Sequence, residues 1–368
     1  MHASKVAINL KRIRAARGLT MEEAANAAGI SRMAYHNIEK GLAEPHVSNL
    51  QNLANALQVK VIDLVRSIPE LRSVRFRALK WKTKRDKAQR EEIKNAVALW
   101  MRDFIDLESM LTDNKRMKFA IKIEKPGRGS NAAQIAAHNA RKLFRLDEDE
   151  VISDICGLVE SVGIKLHFIS MGLDNFSGLS VNDEKLGAAI IVNTSAAKTT
   201  ERKIFTIAHE LGHILMHHTS FNDDDREIEE EEDEANAFAS YFLMPHKGFI
   251  KKLEEVKGLN FIEAILHIKR VFKVSYETII YRLIKEGIVD GKIWQEFRFQ
   301  YKQKNKFDFK GHKEPEPLAE IDCIEDRLSR LVREALEKEL ISISRAAEIL
   351  GKNIVEMREL VNGWMAVK

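Results

Sequence analysis

Two histidines four residues apart flank a glutamate in the segment His209-Glu210-Leu211-Gly212-His213. On a helix, side chains at i and i+4 share a face, so both imidazoles could bind one metal ion with Glu210 beside them. Apolar residues at helical spacing surround the segment, and Thr199-Thr200 offers a cap for the helix start. The pattern indicates zinc hydrolase chemistry. The alternative is a buried helix whose two histidines occur together by chance.

A catalytic zinc site needs three protein ligands and an open position, so a third ligand is expected on another element. Downstream, an acidic segment continues into a helical apolar stripe that borders both Glu231 and Glu232. Glu232 is preferred because Asn236, at i+4, could orient a histidine ligand through a hydrogen bond. Glu231 remains the alternative ligand. Without a metal, the same acidic residues would form the solvated start of a helix.

These residues resemble the ImmA/IrrE family of metallopeptidases. The matching motifs are Ala208-His209-Glu210-Leu211-Gly212-His213, the Glu232-x-x-Ala235-Asn236-x-Phe238-Ala239 helix and Leu243-Met244-Pro245. The resemblance extends over about residues 130–290. It implies a gluzincin-like zinc metalloendopeptidase that cleaves a repressor or antitoxin-like DNA-binding protein. In that family pattern His209, His213 and Glu232 are the zinc ligands and Glu210 is the catalytic base.

The N-terminal sixty-odd residues have the pattern of several short amphipathic helices. Thr20-Met21-Glu22-Glu23 is a capping box, Gly29 makes a turn, and Ser31 caps a helix that is predicted to run to about Lys40. This geometry is a helix-turn-helix, and the segment resembles the Xre DNA-binding family. The resemblance places the Ser31–Lys40 helix in the major groove. The candidate DNA-binding residues are Ser31 and four polar residues expected to face outward from this helix, Arg32, Tyr35, His36 and Asn37.

Charge supports duplex DNA as a partner. Residues 1–90 contain 18 Lys and Arg against 7 Asp and Glu, whereas the whole chain carries a net charge of +4. The basic residues concentrate in the tracts 72–77 and 80–85, which either bind phosphate or form a solvated linker. Thr20-Met21 stands where the Xre family often has a DNA-contacting glutamine. Because this fold also occurs in partner-binding roles, a helical dimerisation or protein-docking module is the alternative for this segment.

Composition indicates a multidomain cytoplasmic protein without a membrane segment. The 368 residues are 45% hydrophobic and 31% charged, with no long apolar run and no signal-peptide pattern. Only two cysteines occur, Cys156 and Cys323, so neither a disulfide framework nor a cysteine-built zinc site is expected. Both are expected to be buried thiols.

The predicted fold is mostly α and multidomain. Residues 1–70 form an all-α helix-turn-helix domain, 71–125 a basic segment with a long helix, 126–290 an α+β zincin-like peptidase domain with a small sheet, and 291–368 a helical extension. The helix at 88–111 either spaces the domains or forms a homodimer. A helix is expected at 148–162, and strands at 164–170, 177–181 and 187–193. The last strand, directly before the zinc helix, is expected at a sheet edge where a substrate backbone could pair.

The C-terminal extension offers less specific signals. The segment 302–317 has the composition of an exposed linker. Near the end, Ala347–Gly351 repeats the Ala-x-x-x-Gly spacing of Ala25–Gly29. This spacing indicates either a second helix-turn-helix or, given the acidic residues that follow, a helical hairpin for packing.

Two functions fit these observations. In the first, the chain is a DNA-binding regulatory zinc peptidase that cuts a repressor, an antitoxin or its own linker. In the second, it is a transcriptional regulator whose zinc domain acts as a sensor or interaction module. Glu210 favours the first function, because a purely structural zinc site does not need a base. His217, His218 and Tyr241 remain open candidates for stabilising the oxyanion.

Overall fold

The described part of the chain forms two compact units. A computed structural model describes residues 5–17, 19–65, 71, 73–78, 84–112, 123, 127–171, 176–221, 228–306, 309 and 313–366. The first unit comprises Met1–Leu71, Arg90–Arg116 and Asp326–Lys368, and the second comprises Arg72–Gln89 and Met117–Glu325. Arg72, Lys80, Lys82 and Pro126, which entered the sequence predictions, lie outside the described residues.

The fold is mostly α with one small sheet, as predicted. The helices are α1 (Lys5–Ala16), α2 (Met21–Ala27), α3 (Arg32–Glu39), α4 (Val47–Ala56), α5 (Val61–Val65), α6 (Lys84–Leu111), α7 (Ser130–Leu143), α8 (Ile155–Ser161), α9 (Thr200–Met216), α10 (Glu229–Leu243), α11 (His246–Glu255), α12 (Phe261–Phe272), α13 (Tyr276–Lys285), α14 (Ile293–Asn305), α15 (Arg327–Glu337), α16 (Ile343–Ile349) and α17 (Ile354–Ala366). The strands are β1 (Val74–Ala78), β2 (Lys165–Ile169), β3 (Phe176–Asp183) and β4 (Gly187–Asn193).

Helix caps predicted from the sequence shape the helix-turn-helix. The Thr20 hydroxyl accepts from the Glu23 N–H, and the Glu23 carboxylate accepts from the Thr20 N–H, which completes the capping box. Gly29 has a φ of +65° in the turn, a left-handed conformation that favours glycine. The Ser31 hydroxyl then accepts from the Ala34 N–H and caps α3. These local signals begin α2 and α3 at the predicted positions.

The sheet corrects the predicted place of its edge. Its strand order is β1-β3-β4-β2, with β3 antiparallel to both β1 and β4, and β2 parallel to β4. Strand β4 is therefore internal, because β2 and β3 occupy its two sides. Strand β1 was missed because its Val-Arg-Phe-Arg alternation lies in a tract that was interpreted by its charge alone.

The helices around the sheet differ from expectation mainly at their ends. Helix α6 begins four residues earlier than predicted, and α8 is seven residues long, in place of the helix expected at 148–162. The late start of α8 follows from Asp154, whose carboxylate accepts from the Gly157 N–H and caps the helix there. Helix α10 packs against α7 and α9, and the core of the second unit lies between these helices and the sheet.

The C-terminal helices pack as a hairpin within the first unit. Helices α16 and α17 contact one another across Gly351, whose φ is +63°. Arg345 on α16 is half-buried and forms ion pairs with Asp103 on α6 at 2.7 Å and with Glu348 at 2.6 Å. Because these carboxylates engage its guanidinium, the structure favours the packing hairpin over a second DNA-reading element.

Part of the predicted linker is instead packed within the second unit. Lys269 is fully buried on α12, and its ammonium donates to Glu201 and to the backbone oxygen of Glu316 (2.9 Å). Glu314 is buried nearby and lies 3.7 Å from the same ammonium. Its segment is therefore fixed by a buried charge cluster, which the proline-rich composition did not reveal. In the described residues no helix is both long and apolar enough to cross a membrane.

Glu314 should make the stability of the second unit depend on pH. Burial raises the pKa of Glu314 to about 8, although the Tyr276 N–H donates to it at 2.8 Å. The folded state therefore retains a proton that the unfolded chain loses near its ordinary pKa of 4.5. Stability should fall as the pH rises through this interval, by on the order of 1 kcal/mol per pH unit. Glu314→Gln keeps the acceptor oxygen, cannot ionise, and should remove this slope.

Denaturant unfolding of both proteins at several pH values between about 5 and 8 measures the slope. Glu320→Gln, at an exposed position six residues further along, is the matched control and should keep the wild-type slope. If the free energy of unfolding changed equally with pH in wild type and in Glu314→Gln, the pH dependence would not come from Glu314.

Candidate metal centre

Three predicted ligands converge between α9 and α10. The Nε2 atoms of His209 and His213 lie 3.0 Å apart. Glu232 Oε2 lies 3.1 Å from His209 Nε2, and Glu232 Oε1 lies 3.1 Å from His213 Nε2. Both histidines are buried, whereas the Glu232 side chain is 15% exposed. Among the described residues, these three form the group with ligand atoms close enough to hold one metal ion.

Two hydrogen-bonded partners orient the imidazoles. His209 Nδ1–H donates to Asn236 Oδ1 at 2.9 Å, as the i+4 spacing from Glu232 predicted. His213 Nδ1 lies 2.9 Å from His217 Nδ1, and His217 Nε2–H donates to Glu234 Oε2 at 2.8 Å. Because His217 donates its Nε2–H to Glu234, its unprotonated Nδ1 accepts a hydrogen bond from the His213 Nδ1–H. Both candidate histidine ligands, His209 and His213, thus have a protonated Nδ1 and a lone pair on Nε2.

The arrangement of lone pairs fits a cation. Two Nε2 lone pairs and a carboxylate point toward one another, which is repulsive unless a positive charge lies between them. Burial lowers the pKa of His213 well below its ordinary value, which keeps the imidazole neutral as metal ligation requires. Neutral nitrogens with a carboxylate are a typical zinc ligand set.

The structure separates the two candidate carboxylates. Glu231 accepts from the Ser220 hydroxyl at 2.7 Å and forms an ion pair with Arg75. Arg75 also donates to Glu232 Oε1 at 3.1 Å, but it is Glu232 that faces both histidines. Arg75 is buried and comes from β1. The basic tract 72–77, which was expected to bind phosphate or to form a solvated linker, therefore contributes this residue to the candidate metal centre. Charge counting alone could not distinguish these two roles.

Glu210 follows His209 on α9 and packs against β3. It is fully buried, and a Cβ atom built on Gly178 would lie 3.1 Å from Glu210 Oε1 and 2.7 Å from Thr206 Cγ2. The strand backbone therefore approaches the glutamate as closely as a residue without a side chain allows. Gly212 has a similar role on the other side of α9, because its Cβ would lie 2.9 Å from Phe238 on α10. This close helix contact brings Glu232 within reach of the histidines.

The residues missed by sequence reasoning are Arg75, Gly178, Ser220 and Glu234. Of these, Glu234 had an indirect signal, because its partner His217 follows His213 at i+4 on the face of α9 that carries the two candidate histidine ligands. Of the three oxyanion candidates, His217 is engaged by His213 and Glu234. Tyr241 lies under the Arg282 guanidinium, which is 3.4 Å from its ring centroid.

The candidate DNA-binding residues divide by burial. Arg32 is exposed and His36 and Asn37 are half-buried, whereas Ser31 is exposed but uses its hydroxyl to cap α3. Tyr35 is fully buried in the core of the helix-turn-helix, so the prediction that it faces outward was wrong. Its aromatic ring fills the apolar face of α3, which the polar hydroxyl obscured in the sequence.

Glu234 should support metal binding without touching the ion. Glu234→Gln removes the charge that holds His217 and, through it, the His213 ring, so zinc affinity should fall about tenfold to a hundredfold. Competition with a chromophoric chelator measures the dissociation constant. Glu230→Gln, on the same helix but exposed, should leave the constant unchanged. Equal constants for Glu234→Gln and wild type would show that this hydrogen-bonded chain does not position His213.

Family models match both parts of the chain. Residues 159–284 match the model of a peptidase family, M78, described as the IrrE N-terminal-like domain, and residues 10–64 match a helix-turn-helix model. The first range contains His209, Glu210, His213 and Glu232. Both resemblances found in the sequence are therefore confirmed. No curated protein matches the chain.

Two solved structures have low similarity to the chain. PlcR from Bacillus thuringiensis, solved in complex with the peptide PapR7 and DNA, is 13% identical, with a TM-score of 0.16, and the match covers 98% of this chain and 99% of that one. ComR from Streptococcus suis is 14% identical, with a TM-score of 0.17, and the match covers 98% and 96% of the two chains. At these TM-scores, neither structure bears on the fold or function of this chain.

Proposed function

We propose that this chain, which joins a helix-turn-helix domain to an IrrE N-terminal-like peptidase domain, is a DNA-binding, zinc-dependent metalloendopeptidase. It would hydrolyse a peptide bond in a repressor or antitoxin-like protein and thereby control transcription. The observation that supports this proposal is the convergence of His209, His213 and Glu232, with Glu210 next to His209 on the same helix. A structural zinc site needs the first three residues, whereas hydrolysis also needs the fourth.

The chain's own residues would divide the work of hydrolysis. His209, His213 and Glu232 would hold zinc, which supplies Lewis acidity toward water and toward the peptide carbonyl. Glu210 would accept the proton of the attacking water on a carboxylate oxygen and return it to the leaving amine nitrogen. Asn236 and His217 would keep both histidines in the tautomer that leaves Nε2 free. Burial excludes bulk water and strengthens the electrostatic interactions within the site.

A second function is favoured by the burial of the site. His209 and Glu210 are fully buried, which suits an ion with a structural or sensory role as long as nothing opens the site to a peptide. In that case the chain would be a transcriptional regulator whose zinc domain senses a signal or binds a partner without proteolysis. The two functions differ in one observable: only the peptidase produces fragments of its target protein.

The proposal is tested on proteins encoded beside the DNA that the chain occupies. Candidate repressors and antitoxins from those loci are incubated with the zinc-loaded protein, with and without the duplex. Cleavage of one of them, lost with Glu210→Gln, supports the peptidase. Occupancy of DNA without cleavage of any neighbouring protein favours the sensor.

Duplex DNA as a partner would place the protein in the cytoplasm. Helix α6 remains a candidate for homodimer contacts.

DNA recognition is expected to depend on the polar side chains of α3. The full chain should bind duplex DNA with an affinity that falls steeply as salt rises. Replacing Arg32 and Asn37 by alanine should reduce discrimination between sites by about fivefold to a hundredfold, while nonspecific binding falls less. Arg128→Ala removes an exposed arginine of the second unit and is the charge-matched control. Equal affinity of all these proteins for every duplex would favour the docking-module interpretation of residues 1–70.

A further inference from the structure

Strand β1 occupies an unusual place for its position in the sequence. It precedes the matched peptidase range of 159–284 by about eighty residues, yet it forms the edge of the peptidase sheet beside β3. The pairing is antiparallel and places Arg77 opposite Gly178, Phe76 opposite Leu179 and Arg75 opposite Ser180. A segment from outside the matched domain thus covers one edge of its sheet.

The covered edge is the one nearest to the candidate catalytic base. Gly178 on β3 approaches Glu210 so closely that a Cβ atom there would lie 3.1 Å from its carboxylate. At the other side of the sheet, β4 separates β2 from β3. An extended peptide that added to the sheet next to Gly178 would therefore pass directly over Glu210. Strand addition of this kind satisfies the backbone hydrogen bonds of an extended peptide at a sheet edge.

Arg75 also reaches the site with its side chain. Residues that face one another across a strand pair share a face of the sheet, and alternate residues along β3 share one too, so Arg75, Ser180 and Gly178 lie on the same face. From that face the Arg75 guanidinium pairs with Glu231 and Glu232. Ser220 holds the other oxygen of Glu231 at 2.7 Å. The carboxylate of Glu231 is thus positioned for a cation on a strand at this edge.

We propose that the outer edge of β3 is the substrate-binding strand, and that residues 74–78 occupy it in cis. The substrate is an extended segment of a protein, with a basic side chain at the position that Arg75 occupies in β1. Glu231 binds this basic side chain while Glu232 binds the metal ion. β1 must leave the edge before such a segment can bind. This inference rests on the proposed peptidase function and specifies the class of its substrate.

A labelled peptide tests whether the edge is shared. The probe is a fluorescent peptide with the sequence of residues 71–80, measured by anisotropy with the full-length zinc-loaded protein carrying Glu210→Gln to prevent turnover. In this background Arg75→Ala removes the partly buried ion pairs that hold β1 to Glu231 and Glu232. Because β1 then competes less well for the edge of β3, the affinity for the peptide should rise at least about tenfold. Arg128→Ala, which breaks the exposed pair with Glu230, should leave the affinity unchanged. Glu231→Gln added to Arg75→Ala should reverse the gain.

A second measurement does not depend on how well the Arg75→Ala proteins fold. Backbone hydrogen exchange is followed in the full-length, zinc-loaded Glu210→Gln protein, in which Arg75 is retained. The concentration of the unlabelled peptide is increased until binding is saturated. The amides of residues 74–78 should exchange faster as the peptide displaces β1, while those of β4 keep their protection. Unchanged exchange at 74–78 with peptide bound, or equal peptide affinity with and without Arg75→Ala, would overturn the inference.

The test separates this inference from the proposed function. If the peptide competes with β1 but no form of the protein hydrolyses any peptide or candidate protein, the binding strand stands and the peptidase function fails. If a candidate protein is cleaved but the peptide never displaces β1, the peptidase stands and β3 is not its substrate strand.

Discussion

Replacing His209 or His213 by alanine is expected to abolish zinc binding, whereas the unaltered protein should bind about one zinc ion per chain. The physical reason is that two of the three converging ligand atoms are the Nε2 atoms of these histidines, 3.0 Å apart. Loss of either leaves two protein ligands, too few for a stable zinc site. Elemental analysis after gel filtration gives the stoichiometry, and circular dichroism shows whether each variant has folded.

The two neighbouring glutamates provide a matched pair for the same measurement. Glu232→Ala should weaken zinc binding strongly, because its carboxylate lies within 3.1 Å of both histidines. Glu231→Ala should leave zinc bound, because that carboxylate is engaged by Ser220 and Arg75. Full zinc occupancy in Glu232→Ala together with loss in Glu231→Ala would show that the wrong carboxylate has been assigned.

Glu210→Gln is expected to retain zinc and lose hydrolysis. The amide keeps the size of the side chain but cannot accept the proton of the attacking water, so kcat/KM should fall by at least about a hundredfold. Zinc content, unfolding midpoint and DNA affinity should stay at wild-type values. In cells this variant should behave like a protein from which the peptidase domain has been deleted.

His209→Ala is the informative comparison for that variant. If target genes respond normally in cells with Glu210→Gln and fail to respond with His209→Ala, zinc has a structural or sensory role and the peptidase function is wrong. If both variants fail to respond, the ion and the base are needed together.

Local spacing made much of the site predictable. The i, i+4 relation of His209 to His213 determines that both rings share a face of any helix that contains them, whatever the rest of the fold does. The same relation between Glu232 and Asn236 predicted the hydrogen bond that now orients His209. Capping signals at Thr20, at Ser31 and at the start of α9 likewise act within a few residues, and the structure has all three.

Contacts between segments distant in the chain were not predictable in this way. Arg75 lies 156 residues before Glu231 in sequence, and its role depends on the pairing of β1 with β3. Tyr35 has a polar hydroxyl that suggested an outward orientation, but tertiary packing placed its ring in the core. Strand order is also a property of the whole sheet, which is why β4, although it directly precedes α9, is not at an edge.

The most direct test of the central claim is the intact mass of a candidate repressor or antitoxin after incubation with this protein. Zinc-loaded wild type should produce two fragments whose masses sum to that of the target plus one water molecule, as hydrolysis of a peptide bond requires. The fragments should be absent with a chelator and with zinc-loaded Glu210→Gln. Release of the target from its DNA at unchanged mass, equally with wild type and Glu210→Gln, would contradict the peptidase and leave a zinc-binding regulator.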